Sequence, residues 1–525
     1  MFALPFFSLL IACSSNEYST GAVANDSYRD QASSDSGYWD EEMDADAGEA
    51  PESDEGFDDG LGSETEEAAA RLLPASTNQF VFVANPDRNT VTRIDVQSLE
   101  VRTAAVGTRP ILVETSSDYS KAVTFNAGSN SISIIDSSTM ESTDVKIRSN
   151  LNQMKMSPDG NWVLCYHDIN SEESNLSGGA ISYNAMSIVN LTSLEHIEAV
   201  VGSHPHDIQF TADSSIAVVI SDDYLATIDL SSDSISPKRI AIADDLIHPP
   251  KAEEVLLDPD GKYAIVRQYG VDELVLVDLQ ADTPSISMLE VGANPTDMDV
   301  SKDGSKALVV ARVAKEVWIY DLVDPTLEAE IIALPEDEIF GGLLLSPNDD
   351  YGILYSTVSG QSRIGVWDRS NNEIISRGLV KPVSGVEFSP NGDTVVLFHD
   401  RENGDTPFDS PFYNRYAISL MAMDDLFTSS YQLSNEPDSF AHTADGRLGF
   451  YTMKNLPYLE ILDYRNFVPD EIILPSNPVH LGSLPDTNTV FISQEHSLGR
   501  ISFFDSDEQN LQTITGFELN AAIEE

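Results

Sequence analysis

Residues 80–84, Phe-Val-Phe-Val-Ala, form a short apolar run that stops at a polar turn over 85–89. An alternating run follows at 90–95 and another at 100–106, after which Val106-Gly107-Thr108-Arg109-Pro110 leads into residues 111–114. Short alternating runs bounded by Gly, Pro, Asn and Asp predict β-strands joined by tight turns. The pattern then repeats. Acidic turns begin at Leu73, Thr115, Ser157, Thr211, Asp258, Ser301, Ser346, Ser389, Thr443 and Leu484, at spacings of 42, 42, 54, 47, 43, 45, 43, 54 and 41 residues. Several are nearly identical, such as Ser157-Pro158-Asp159-Gly160 and Ser389-Pro390-Asn391-Gly392. A period of about 40–45 residues with four short strands per unit predicts an all-β fold, a β-propeller.

The acids of this pattern have a structural reading. Asp closes the middle strand at Asp95, Asp136, Asp229, Asp278, Asp321, Asp368, Asp463 and Asp505, while Asn190 and Met421 stand there in the other two units. An Asp at that place accepts bonds from its own turn's amides and fixes the hairpin. The ten units predict a propeller of about ten four-stranded blades over residues 73–525. A ring of seven or eight blades and a pair of smaller propellers are the alternatives. No Gly/Ser/Pro-rich linker divides residues 295–350, which favours one ring. The chain begins with outer strands, so the segment 518–524 is expected to supply the missing inner strand and close the ring.

Two units are longer than the rest, and they lie five apart. Leu164-Cys165-Tyr166-His167-Asp168 precedes one insertion, and Val396-Leu397-Phe398-His399-Asp400 precedes the other. Tyr183-Asn184 and Tyr413-Asn414 close them. Shared flanks at both ends point to duplication of a five-unit block. In a ten-bladed ring the loops 167–183 and 399–413 would rise from opposite sides of one face. Loops that carry binding residues can lengthen at little cost to the sheets.

Val81-Phe82-Val83-Ala84-Asn85, Thr90-Val91-Thr92-Arg93-Ile94-Asp95 and the Val-Gly-x-x-Pro links at 106–110, 201–205 and 291–295 resemble the YVTN-type β-propeller repeat. The resemblance implies a surface or envelope propeller, and it brings lactonase-like and dehydrogenase-subunit propellers into view as enzymatic relatives.

The chain's start adds a location. Residues 2–12 are an apolar run too short to span a bilayer but suited to a signal-peptide core. Leu10-Ile11-Ala12-Cys13 resembles the bacterial lipobox, which implies lipidation at Cys13; no Lys or Arg precedes the run, a departure from an ordinary signal peptide. Residues 1–12 are thus read as a lipoprotein signal and 13–72 as an acidic tether. That tether carries 18 acids against Arg29 and Arg71 and has too few apolar side chains to fold, so disorder is expected. Ser14 after the cysteine resembles the outer-membrane sorting pattern, which places the protein on the outer membrane or the periplasmic face of the envelope. Cys165, the second of two cysteines, lies in an apolar run and reads as a small buried hydrophobe.

The formal charge of −58 excludes nucleic acid as a partner, because phosphate binding needs basic patches. With 11 Lys and 18 Arg, the surface reads either as that of a salt-loving organism's protein or as that of an ordinary acidic secreted one. No nucleophile elbow, metal-protease helix or haem-attachment motif occurs. His204 and His206, on the link into an inner strand, are the closest histidine pair. His167-Asp168 and His399-Asp400 read either as recognition residues with Tyr183 and Tyr413 or as loop-fixing pairs. Asp400, Glu402 and Asp405 offer oxygen ligands, for which calcium is the fitting cation, although no cofactor is expected. The primary reading is a noncatalytic binding module, anchored to the membrane through lipid, that captures an envelope protein, glycan or small ligand. A periplasmic propeller enzyme is the alternative.

Overall fold

The structure, a computed structural model, describes residues 74–169, 183–232, 234–243, 250–258, 260–281, 285–519 and 523–524. Cys13, the acidic tether, the turn at Leu73 and residues 170–182 of the first long loop lie outside the described residues. Ten antiparallel sheets follow one another along the chain, nine with four strands and the last with five. Each is a consecutive meander, running from an inner strand at the central channel to an outer edge.

Ten separate hydrophobic cores hold the sheets together, one in each gap between neighbours. Phe82 and Val91 of blade one meet Val113 and Ala122 of blade two. The last gap is filled in the same way: Phe491, Ile501 and Phe503 of blade ten pack on Val81 and Ile94 of blade one. The ring is therefore closed at ten blades. The alternation seen in the sequence explains this arrangement, because both faces of each middle strand meet a neighbouring blade.

Closure differs from the expectation. Blade one makes its own inner strand, Ala75–Ser76, which pairs with Phe80–Asn85. Ile523–Glu524 adds instead to the outer edge of blade ten, beside Asn510–Thr515. Side chains stitch neighbouring inner strands together, and one of these bonds, from Ser76 to Ser483, crosses the seam. Ser483 Oγ donates to His442 O at 2.6 Å, Ser76 Oγ to Ser483 O at 3.0 Å and Thr115 Oγ1 to Ser76 O at 3.1 Å.

The repeated turns behave as their chemistry requires. Ser157 Oγ donates to Asp159 Oδ1 and accepts the Trp162 amide at 3.0 Å, and Ser301, Thr211 and Thr443 repeat the device. In blade two the equivalent residue is Ser116, one place after Thr115, and in blade one it is Thr77. The strand-ending acids cap their turns as expected: Asp136 Oδ1 accepts the Ser138 and Thr139 amides, and Asn190 accepts those of Thr192 and Ser193. In blade eight the register places Ala422, not Met421, at that position.

Carboxylates on the inner strands also link blades. Glu114 accepts the Met156 amide of blade three at 2.8 Å, and Asp299 accepts that of Leu345 at 2.8 Å. Burial pushes the Glu114 carboxyl from 4.5 up to about 7, with the Met156 amide and the Lys155 charge opposing it. A raised acid favours its neutral form in the folded state. The stability this brings is fully present below about pH 4.5 and is lost as pH rises through about 7. Glu114→Gln keeps the acceptor and removes the titration. The variant should exceed the parent by about 2–3 kcal/mol above neutrality and lose that advantage in acid. Urea unfolding across this range checks it; a gap that does not change with pH would refute it.

Candidate functional site

The face that carries the blade-to-blade links and the loops between second and third strands holds every candidate except Cys13, which lies outside the described residues. Blade three supplies Trp162–Tyr166 and Ala185–Asn190 as its second and third strands, with His167 and Asp168 leaving the first and Tyr183 entering the second. The link 201–206 then enters blade four, where Asp207–Phe210 is the inner strand.

These segments converge. The Tyr183 ring sits edge-on between two imidazoles, 5.7 Å from His167 and 5.3 Å from His204. His204 adopts a left-handed φ of 51° before Pro205, and its amide donates to Tyr183 O at 2.7 Å. Its Nδ1 lies 3.0 Å from Asp222 Oδ2. His206 Nδ1 meets His204 O at 3.1 Å, with Asp222 Oδ1 at 3.9 Å. Asp168 and Asn152 exchange two bonds of 2.8 Å, from Asn152 Nδ2 to Asp168 O and from the Asp168 amide to Asn152 Oδ1, which fix the start of the loop. His167 is buried, and burial lowers its basicity below the ordinary imidazole range. The pair at 204 and 206 and the flanks of the first insertion, read separately in the sequence, thus form one cluster.

The equivalent place in blade eight is built differently. His399 is fully buried with both ring nitrogens engaged, Nδ1 at 2.8 Å from Pro382 O and Nε2 at 2.8 Å from Ser419 Oγ. Burial drops its pKa to about 4, so the ring is neutral and Nδ1–H donates to the carbonyl. This is the loop-fixing arrangement. Beneath it lies Lys381, fully buried, whose Nζ donates to Arg415 O at 2.9 Å. Burial lowers the Lys381 ammonium and raises the Asp400 carboxyl, while their opposite charges favour each other.

The oxygen-rich residues of this second loop are engaged locally. Asp400 accepts the Glu402 amide, and Asp405 accepts the Ser362 amide of blade seven at 2.9 Å. Among the described residues no group of three or more His, Cys, Asp or Glu is placed to hold a metal ion. The loop instead braces itself and leans on blade seven. Asn403 and Asn414 exchange bonds of 2.6 and 2.7 Å, and Asp405 N donates to Gly360 O. Tyr413 backs Phe408 edge-on at 5.1 Å, and Phe408 is 85% exposed, an aromatic side chain presented to solvent.

Asp222 and Lys381 escaped the sequence reading. Asp222 carries no signal in so acidic a chain. Lys381 could have been noticed, since a scarce lysine stands directly before Pro382 and an inner strand.

The fold defines the class of protein: a ten-bladed β-propeller. No protein-family model matches the chain, and no curated protein does. Solved structures share the architecture. A eukaryotic initiation factor aligns at 11% identity and a TM-score of 0.50, covering 76% of this chain and 97% of that one. Dihydro-heme d1 dehydrogenase NirN in complex with DHE aligns at 16% identity and 0.42, covering 68% and 74%. The Cps50 (Swd1) β-propeller domain of Myceliophteria thermophila aligns at 12% and 0.33, covering 55% and 92%. At such identities the likeness shows the fold alone.

Proposed function

We propose that this protein is a noncatalytic recognition propeller of the cell envelope, of the YVTN-repeat kind, that captures a partner on its loop face. The observation that carries the reading is the pairing of two elongated loops five blades apart. One ends in the His167–Tyr183–His204 cluster and the other presents Phe408. Aromatic rings with polar neighbours, raised on loops over a rigid scaffold, are the usual furniture of a binding face. A set of acid, base and nucleophile in mutual contact would favour an enzyme instead, and the described residues of the cluster include no nucleophile. The anchor in this proposal is Cys13 after Leu10-Ile11-Ala12, with the acidic tether holding the ring off the membrane. The mass of the mature N-terminal peptide tests that part, and an unmodified Cys13 would end it.

The test of the face replaces residues 169–182 and 401–413 by short Asn-Gly turns. The doubly shortened protein should lose capture of its envelope partner while its melting temperature stays close to the parent's, because insertions between strands can be shortened without removing sheet or core. Capture that survives both replacements would place recognition elsewhere on the ring.

A further inference from the structure

Each blade's third strand ends at an equivalent position on the turn face, the face opposite the long loops. Nine blades place an Asp or Asn there, from Asp95 in blade one to Asp505 in blade ten; blade eight alone ends its third strand, Ala417–Ala422, on an alanine. A second departure follows within the same turn. In blades one, two, three, seven and ten the left-handed turn residue is succeeded by an exposed Glu100, Glu141, Glu195, Glu373 or Asn510. In blade eight Leu426 takes the same conformation, with a φ of 58°, and the next residue is Phe427, 59% exposed.

Both departures open onto one cleft of about 490 Å³ between blades eight and nine, where the alanine at 422 leaves room and Phe427 makes a wall. The Phe427 ring lies 5.8 Å from Phe467 at a tilt of 30°. Phe467 is buried in the core of this gap, and Tyr431 of blade eight donates to its carbonyl. The wall is thus anchored from behind, and Phe427 carries its exposed aromatic surface. Nothing in the repeat requires a ring here, since five other blades make the same turn with glutamate or asparagine.

Polar groups complete the lining. Asp425 Oδ1 accepts the Phe427 amide at 2.8 Å and fixes the turn. Asn466 Nδ2 donates to Asp463 Oδ2 at 2.9 Å, which leaves the amide oxygen as an acceptor. Among the described residues the Asp424 carboxylate and the Arg465 guanidinium, both exposed at the cleft, have no bonding partner. A cleft of this size that joins an apolar wall to a few convergent donors and acceptors has the usual form of a small-molecule site. The lining selects the ligand. Its carboxylates and a chain charge of −58 repel anions, and Arg465 standing among them counts against a cation. A neutral ring with an aliphatic face and a hydroxyl edge suits both walls. Its C–H bonds lie against the negative face of the aromatic ring, and its hydroxyls bond carboxylate, amide and guanidinium.

We propose that this cleft binds a neutral pyranose ring, stacked on Phe427 and held by hydrogen bonds to Asp424, Arg465 and Asn466. The ring presents the same chemistry as a free sugar or as the end of a glycan. The site lies on the turn face, so it stands or falls independently of recognition by the loop face.

Saturation-transfer NMR of the full chain is run with the methyl glycosides of glucose, galactose, mannose and N-acetylglucosamine and with the corresponding free sugars. Cyclohexanol and tetramethylammonium serve as apolar and cationic controls. At least one pyranose should show saturable transfer, strongest at the C–H protons of one ring face, and neither control should. A glycoside that binds as well as its free sugar supports the end of a glycan as the ligand, and a preference for the free sugar supports a free sugar. Ala422→Asp restores the capping acid of the other blades and puts a carboxylate into the cleft. Phe427→Glu installs the residue of blades one, two, three and seven. Each should weaken binding at least tenfold while the protein melts as the parent does, and Phe427→Trp, which keeps an aromatic wall, should retain binding. No transfer to any sugar, transfer to cyclohexanol as strong as to the sugars, preference for tetramethylammonium, or binding that survives both Ala422→Asp and Phe427→Glu overturns the proposal.

Discussion

Arg267→Met should cost about 3–5 kcal/mol, the usual price of stranding buried charge. The guanidinium is clamped between two carboxylates, NH1 at 2.6 Å from Glu253 and Nε at 3.1 Å from Glu254, and all three side chains are close to nine-tenths buried. Glu254 does a second job, since the same Oε2 accepts the Met298 amide of blade six at 2.9 Å. Removing the cation therefore leaves two carboxylates in a poorly solvated wall and loosens a contact between blades five and six. The opposing charges hold the guanidinium protonated despite its burial. Neutralising the whole group in Arg267→Met/Glu253→Gln/Glu254→Gln should recover most of the loss, because a buried ion cluster replaced as a unit is often near neutral. Urea unfolding of the single and triple variants decides it. A single variant within 1 kcal/mol of the parent, about the cost of an exposed pair, would show that the cluster is solvated.

Phe503→Ala should have an effect of similar size for a different reason. The ring is 2% exposed in the core shared by blades ten and one, with Phe491, Ile501, Val81 and Ile94 around it. Truncating a buried phenylalanine costs about 3–5 kcal/mol through lost burial and the cavity left behind. Among the described residues no peptide crosses this gap, and packing and bonds such as Ser76 to Ser483 hold it shut. Phe450→Ala, in the peptide-linked gap between blades nine and ten, serves as the comparison. Both should melt earlier, but Phe503→Ala alone should become sensitive to limited proteolysis near residues 74–80. Equal protease resistance in the two variants would show that the seam is no weaker than the other gaps.

Much of this architecture could be read directly from residue spacing. The Ser-x-Asp turns and the strand-ending acids recur because each does the same local job, so most blades repeat the same signal. Closure could not be read this way. Ala75–Ser76 is a two-residue strand with no apolar alternation, made inner by its neighbours rather than by its own composition. Residues 518–524 have the better strand pattern, yet of these Ile523–Glu524 pair on the outer edge of blade ten and Phe517–Leu519 is a 3-10 turn. At Ser116 and Ala422 hydrogen bonding, not residue type, sets the register, one place beyond Thr115 and Met421.

The site was half legible. Shared flanks marked His167 and His399 as equivalents, and position alone made them look alike. Their difference lies in partners distant in sequence: His196 and the Arg148 amide take Ser187, whereas Ser419 remains for His399. The meeting of Tyr183 with His204 depends likewise on the packing of blade three against blade four. Nothing in a linear string announces it.

The bond between Ser76 and Ser483 joins residues 407 positions apart. A ribosome must therefore finish nearly the whole protein before that bond can form. Until then Val81 and Ile94 present an uncovered apolar flank, and blade one waits while nine successors are made and folded. Each later blade can dock as it emerges, on the one before it. The first has no cover until the last arrives, so its flank is where a chaperone would be needed and where a stalled chain would aggregate.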